Sequence, residues 1–150
     1  MLDSEVKKVS VPGSPLISAA DFVIPYAPDN SLSVALDYTF FRFGAGSLAT
    51  NLNYAWKDDV YNTSGAGPNV PGRDYYGTRA YGLLNGRLTL EYQPAISRNP
   101  VRISLWGRNL LDADDPIYTS AIGSSFTGYS SSTFNYAEPF SYGIEVQFAL

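Results

Sequence analysis

Neither cysteine nor histidine occurs in the 150 residues, and lysine is scarce. Without cysteine there are no disulfides and no thiolate sites, which suits a reducing compartment and equally the many bacterial envelope proteins that do without them. Without histidine the Ser-His-Asp and Cys-His nucleophile systems and most zinc sites are excluded. The net charge is -4 and no cluster of Lys and Arg occurs, so a nucleic-acid partner is not expected, because neutralising phosphates requires grouped cations. No apolar run approaches the roughly 20 residues of a membrane helix. The opening residues MLDSEVKK also lack the basic start and apolar core of a secretory leader.

What the chain has instead is aromatic and strand-forming. Twelve Tyr, eight Phe and two Trp make 15% of the sequence. With recurrent Val and Thr they favour sheet over helix, so the expected class is all-β, in a chain long enough for one domain with a core. The clearest strand is in VRISLWGRNLLDADD, Val101 to Asp115. Val101, Ile103, Leu105 and Gly107 fall on one side and Arg102, Ser104, Trp106 and Arg108 on the other, the period of two of a pleated strand.

Four more runs repeat that rule. Residues 1–31 are broken by Pro12, Pro15, Pro25 and Pro28 and read as a loop leading into the strands, with room for a helical turn at Ser18 to Phe22. Leu32 to Phe41 sets Leu32, Val34, Leu36, Tyr38 and Phe40 against Ser33, Ala35, Asp37 and Thr39. A turn at Gly44 to Ser47 leads into Leu48 to Trp56, which makes a hairpin. Leu83 to Gln93 sets Leu84, Leu88, Leu90 and Tyr92 against Asn85, Arg87, Thr89, Glu91 and Gln93, and Phe140 to Leu150 alternates to its last residue. Between the strands, Lys57 to Ala80 and Leu111 to Pro139 have no period and read as long loops.

The connections therefore alternate short and long, which in an antiparallel meander puts both long loops at one end and both short turns, with the C-terminus, at the other. Aromatics lie near both ends, Tyr54, Trp56, Phe140 and Tyr142 beside the long loops and Tyr92 and Phe148 beside the short turns. The polar sides carry Asp37, Asn85, Arg87, Glu91, Arg102, Arg108 and Glu145, which a dry sandwich core does not accept cheaply. The pattern fits two architectures. One is an outer-membrane barrel wall, apolar outward and polar inward; the other is a soluble sheet whose charged face is the wet one.

The ordered set LDYTF, a glycine turn, LNYAWKDDVY, YGLLNGRLTL, VRISLWGRNLLD and a closing YGIEVQFAL resembles the C-terminal part of TonB-dependent outer-membrane receptors. The resemblance covers residues 28 to 150, and Tyr81 to Arg87, Leu105 to Asp112 and Tyr142 to Phe148 carry most of it. It implies that residues 32–150 are an antiparallel meander of about five strands from the end of a transmembrane barrel of about 22. It also implies the outer membrane of a Gram-negative bacterium and uptake of a scarce nutrient such as a siderophore, cobalamin or a saccharide. The implied partners are outer-membrane lipid, the plug and remaining strands of the receptor, and TonB through an N-terminal part. No counterpart of plug, TonB-contacting box or leader occurs in these 150 residues, and five strands are fewer than the roughly eight of the smallest barrels, so a piece of a longer receptor or a separate gene remnant is implied. The family usually ends on an aromatic residue, whereas Phe148 is followed by Ala149 and Leu150.

Candidate ligand contacts are the loop tyrosines Tyr61, Tyr75, Tyr76, Tyr118 and Tyr129. Other motifs point elsewhere on paper only. Gly44-x-Gly46-x-x-Ala49 comes after a strand as a dinucleotide fingerprint does, but the run from Leu48 to Trp56 has period two and opens no helix. Asp112, Asp114 and Asp115 begin like a calcium loop, yet Ile117 and Gly123 stand where its glycine and glutamate belong. Asn62-Thr63-Ser64 is a glycosylation sequon by pattern. Asp37, Glu91 and Glu145 share a sheet face as a glycosidase pair would, but they also balance Arg87, Arg102 and Arg108. No enzyme activity, cofactor or metal is expected. The second functional reading is a soluble carbohydrate-binding β-sandwich that uses the loop tyrosines.

Overall fold

Period-two sequence becomes strand wherever the expectation put it. The computed structural model describes Lys7 and residues 19–96, 99–124 and 128–148, with backbone alone for residues 20, 121–124 and 128–131. Its strands are β1 (Ser31–Phe43), β2 (Gly46–Lys57), β3 (Val60–Tyr61), β4 (Gly77–Thr78), β5 (Tyr81–Tyr92), β6 (Val101–Arg108), β7 (Pro116–Ser124), β8 (Gly128–Tyr136) and β9 (Ser141–Phe148). The protein is all-β, and five of these strands form one antiparallel sheet in the order β1-β2-β5-β6-β9, each long strand beside its sequence neighbour. The expected boundaries shift by a few residues at strand ends. Most of the N-terminal segment, part of the Pro94 to Pro100 connection and the final Ala149 and Leu150 lie outside the described residues. Ala19–Asp21 forms a 3-10 turn inside the stretch expected to make a helical turn.

Two compact units divide the chain, one holding residues 32–56, 82–113 and 138–150 and the other residues 1–31, 57–81 and 114–137. The first is the five-stranded sheet. Its register arranges side chains in rows: Leu88, Leu105 and Ile144 face one way, as do Leu90, Ile103 and Val146. Between them run Thr89, Ser104 and Glu145, then Glu91, Arg102 and Gln147. Because successive residues point to opposite faces, these rows give the sheet an apolar face and a polar face. The turn at Gly44 and Ala45 closes β1 on β2, and β5 ends against it, the Gln93 N–H donating to the Ala45 carbonyl. A Cβ at Gly46 would collide with the Glu91 carbonyl, so the second glycine of the Gly-x-Gly pair serves this close approach of backbones.

Much of the apolar face of the sheet is exposed. Leu36 is 49% exposed, Leu105 51%, Ile144 71% and Val146 54%, while the buried apolar side chains among the described residues are Val60 and Ala66, both of the other unit. Burial of apolar area contributes about 25 cal/mol per Å², and Leu105, Ile144 and Val146 forgo much of it within this chain. The strands β1 and β9 each have one neighbour, which leaves two open edges. Exposed apolar faces and open edges promote association. In detergent-free buffer the isolated chain is therefore expected to sediment as polydisperse assemblies that detergent micelles disperse. A monodisperse, detergent-free monomer with a cooperative unfolding transition would contradict this and favour a soluble sandwich.

The second unit corrects one expectation. Within Leu111 to Pro139, expected to be loop, β7 and β8 form a hairpin, with irregularities in register between Pro116 and Tyr118 and between Ile122 and Gly123. The hairpin has no alternating apolar face to announce it, because its strands are mostly Ser, Thr, Gly and Tyr. Lys57 to Ala80 is largely irregular as expected, but carries the two-residue ladder β3-β4 and a 3-10 turn at Arg73–Tyr76. That turn and β4 pack on β7. Asn62 ties the ladder to the hairpin: its side-chain amide donates to the carbonyl of Thr119, which is 1% exposed. The sequon asparagine thus has a structural task.

Candidate functional site

On the polar face of the sheet, opposite charges are matched strand to strand. Glu91 and Arg102 are direct cross-strand partners and form an ion pair at 2.7 Å. Arg87 reaches from β5 past β6 to Glu145 on β9 at 2.9 Å. Arg108 pairs with Glu138 at 3.1 Å, the Asn51 amide donates to Asp37 at 2.7 Å, and Thr89 and Ser104 share a hydroxyl hydrogen bond at 3.0 Å. Each ion pair is substantially exposed, so each contributes little to stability. The three carboxylates weighed as a glycosidase set are each engaged: Asp37 by Asn51, Glu91 by Arg102, and Glu145 by Arg87 and Gln147.

Trp106 stands among these charges. Its indole lies over Gly143, its partner in register, where any Cβ would strike the ring. The Arg108 guanidinium lies 5.7 Å from the indole centroid, a cation–π distance. Asn51, Asn85, Arg87 and Arg108 join Trp106 around an open cleft of about 360 Å³. Asn85 does more than line it, since its side-chain oxygen accepts the backbone N–H of Asn109 at 2.9 Å.

Asn109 is the hinge where β6 ends. It is 3% exposed and has φ of 48°, in the left-handed region that Asn tolerates better than most residues. Its side chain accepts from the Ala113 N–H at 2.9 Å and donates to the carbonyls of Ala113 and Glu138 at 2.9 and 3.1 Å. The reversal returns Leu110 over Gly86 and Gly107, where added Cβ atoms would meet its side chain. The RNLLD segment is thus a built turn. No group of three or more potential metal ligands occurs among the described residues.

The loop unit carries the second cleft, a cavity of about 660 Å³. Its wall includes the rings of Tyr61, Tyr75 and Phe134, and Thr78 at its base. Asp59, Asp74, Asp115 and Arg79 supply its charges. Arg73 stacks on Tyr61 at 4.4 Å from the ring centroid, which fixes that ring. Of the five tyrosines expected to contact ligand, Tyr61 and Tyr75 come together here. Tyr76 is half-buried in the 3-10 turn, its backbone carbonyl accepting from Asn62 N–H. Tyr118 is hydrogen-bonded to Tyr26, and that bond, with burial, raises the Tyr26 phenol above its ordinary pKa. Tyr129 lies on β8 opposite Gly123, in the part of the hairpin described by backbone alone.

Phe134, Thr78, Arg79 and the aspartates Asp59 and Asp74 were not anticipated at this site. The signal available was the stretch GRDYYG, residues 72 to 77, in which glycines bracket a charged and aromatic pair of dipeptides. Beside this unit's β3, the Asp58 carboxylate accepts from the Asn30 amide at 3.3 Å and from the Asp59 N–H at 3.0 Å, which holds its pKa below the usual carboxylate value. No protein-family model matches the chain, and no curated protein or solved structure gives a significant match.

Proposed function

We propose that this chain is the C-terminal strand run of a TonB-dependent outer-membrane receptor, one wall of a transmembrane β-barrel that admits a scarce nutrient. The observation that carries the reading is the register of β5, β6 and β9, which alternates apolar and polar rows and leaves Ile103, Leu105, Ile144 and Val146 of the apolar rows exposed. Apolar rows left bare within the chain suit lipid, and a charged face of matched ion pairs suits a wet lumen, where the remainder of the receptor sits. The sheet strands contain 13, 12, 12, 8 and 8 residues, bracketing the 9 to 11 or so that cross a bilayer at a tilt. No described helix is long and apolar enough to cross a membrane, and strands do not need one. A soluble carbohydrate-binding sandwich, the other reading, requires a second sheet on the apolar rows.

In this reading the C-terminus and the short turns at Gly44 to Gly46 and Pro94 to Pro100 face the periplasm, the connections from β2 to β5 and from β6 to β9 face the outside, and energy comes from TonB through the plug. A protease site inserted near Gly67 or Ser131 of the full-length receptor is expected to be cut on intact cells, and one at Ala95 to be protected until the outer membrane is opened. Cutting at Ala95 alone would overturn the orientation and the receptor reading with it.

A further inference from the structure

We propose that the cleft of the loop unit is a binding site for a neutral saccharide. The inference rests on the receptor reading only for where the cleft would meet its ligand; its chemistry rests on the cleft. Two exposed rings, Tyr75 at 49% and Phe134 at 41%, border it together with Tyr61. Such rings offer flat apolar surface for the C–H face of a sugar, and the tyrosines add a polar edge. The cavity volume of about 660 Å³ falls in the range of roughly 300 to 1,000 Å³ common for small-molecule sites.

Charge narrows the class. Asp59, Asp74 and Asp115 stand against the single lining cation Arg79, so the cleft is net negative and disfavours phosphates, carboxylates and anionic metal chelates. The carboxylates accept hydrogen bonds and the guanidinium donates them. Sugar hydroxyls do both, and so can engage the carboxylates and the guanidinium of this lining together.

Thr78 supplies the independent observation. It is 8% exposed, lines the cleft, and its hydroxyl has no hydrogen-bond partner. Buried hydroxyls are ordinarily paired. Thr78 lines the cleft, and a ligand hydroxyl seated there is the partner assigned to it, as either donor or acceptor. In the free protein the hydroxyl contributes nothing, so its role is separable from stability.

The test is titration of the full-length protein in detergent with maltoheptaose, cellohexaose, xylohexaose and mannohexaose, with tetralysine and ferric citrate as cationic and anionic probes. At least one saccharide is expected to bind, with neither charged probe competing. Tyr75→Ala should weaken that binding about ten-fold or more, as loss of an aromatic anchor does. Thr78→Val should weaken it about five-fold, the effect of one lost hydrogen bond, while leaving the thermal midpoint unchanged or higher. Absence of saccharide binding, binding indifferent to both substitutions, or Tyr75-dependent binding of tetralysine or ferric citrate instead would overturn the proposal. Fractionation of the same cells separates the two readings: saccharide binding by a protein recovered outside the outer membrane defeats the receptor and leaves the cleft standing, and an outer-membrane protein without it does the reverse.

Discussion

Leu88→Arg is expected to destabilise the full receptor by about 2 to 4 kcal/mol, and Thr89→Arg to be nearly silent, because a cation costs that much at the lipid-facing midplane of a barrel and little in its lumen. Leu88 sits in the row of Leu105 and Ile144 on β6 and β9, so an arginine there has only apolar neighbours. Thr89 sits one residue on, in the row of Ser104 and Glu145. An arginine there gives up the hydroxyl bond to Ser104 but gains a carboxylate in reach. Reversible urea unfolding of the receptor folded in detergent or lipid measures both. Equal costs would refute lipid exposure of the Leu88 face, and a reversed order would put the register off by one residue, since a slip of one exchanges the faces of a strand.

The second large effect is expected at Asn109, with Asn109→Ala costing about 3 kcal/mol or more. Three hydrogen bonds of a side chain that is 3% exposed are lost. Each buried group left unpaired costs about 1 to 3 kcal/mol, and alanine adds about 1 kcal/mol at a left-handed φ. Asn109→Gly removes the same hydrogen bonds but relieves the backbone, and should be milder than alanine by about 1 kcal/mol. The same unfolding assay ranks the three proteins. Glycine worse than alanine would mean that the conformation at Asn109 is not left-handed in solution, and two near-neutral variants would mean that the turn is not held by this side chain.

Leu88 and Asn109 also mark how far the sequence can be read. The face of Leu88 follows from alternation alone, because a strand has only two faces and its neighbours at positions 87 and 89 are polar. The five sheet strands follow in the same way, and short connections make neighbours of β1 and β2, through the turn at Gly44 and Ala45, and of β5 and β6; the pairings β2-β5 and β6-β9 cross the long connections and rest on the antiparallel meander. The glycine and tyrosine content of Lys57 to Ala80 similarly marks it as largely irregular, and Tyr61 and Tyr75 as candidates for contact.

What the tertiary structure alone decided are the matters that depend on distant partners. Asn109 reads locally as the end of a strand, and becomes a keystone only because Glu138, 29 positions on, brings its carbonyl within 3.1 Å. Arg87 and Glu145 are 58 positions apart and meet because the register offsets them across β6. Trp106 belongs by composition on an apolar face, and is accommodated on the polar one because Gly143 lies opposite it. The β7-β8 hairpin escapes a hydrophobic pattern because its strands have no apolar face, so its formation rests on backbone pairing and on contact with β4 and the Arg73–Tyr76 turn. The loop cleft gathers Asp59, Thr78, Asp115 and Phe134 from four separate stretches of chain. Local sequence sets each residue's conformation and polarity, and only chain closure over tens of residues sets which of them share a wall.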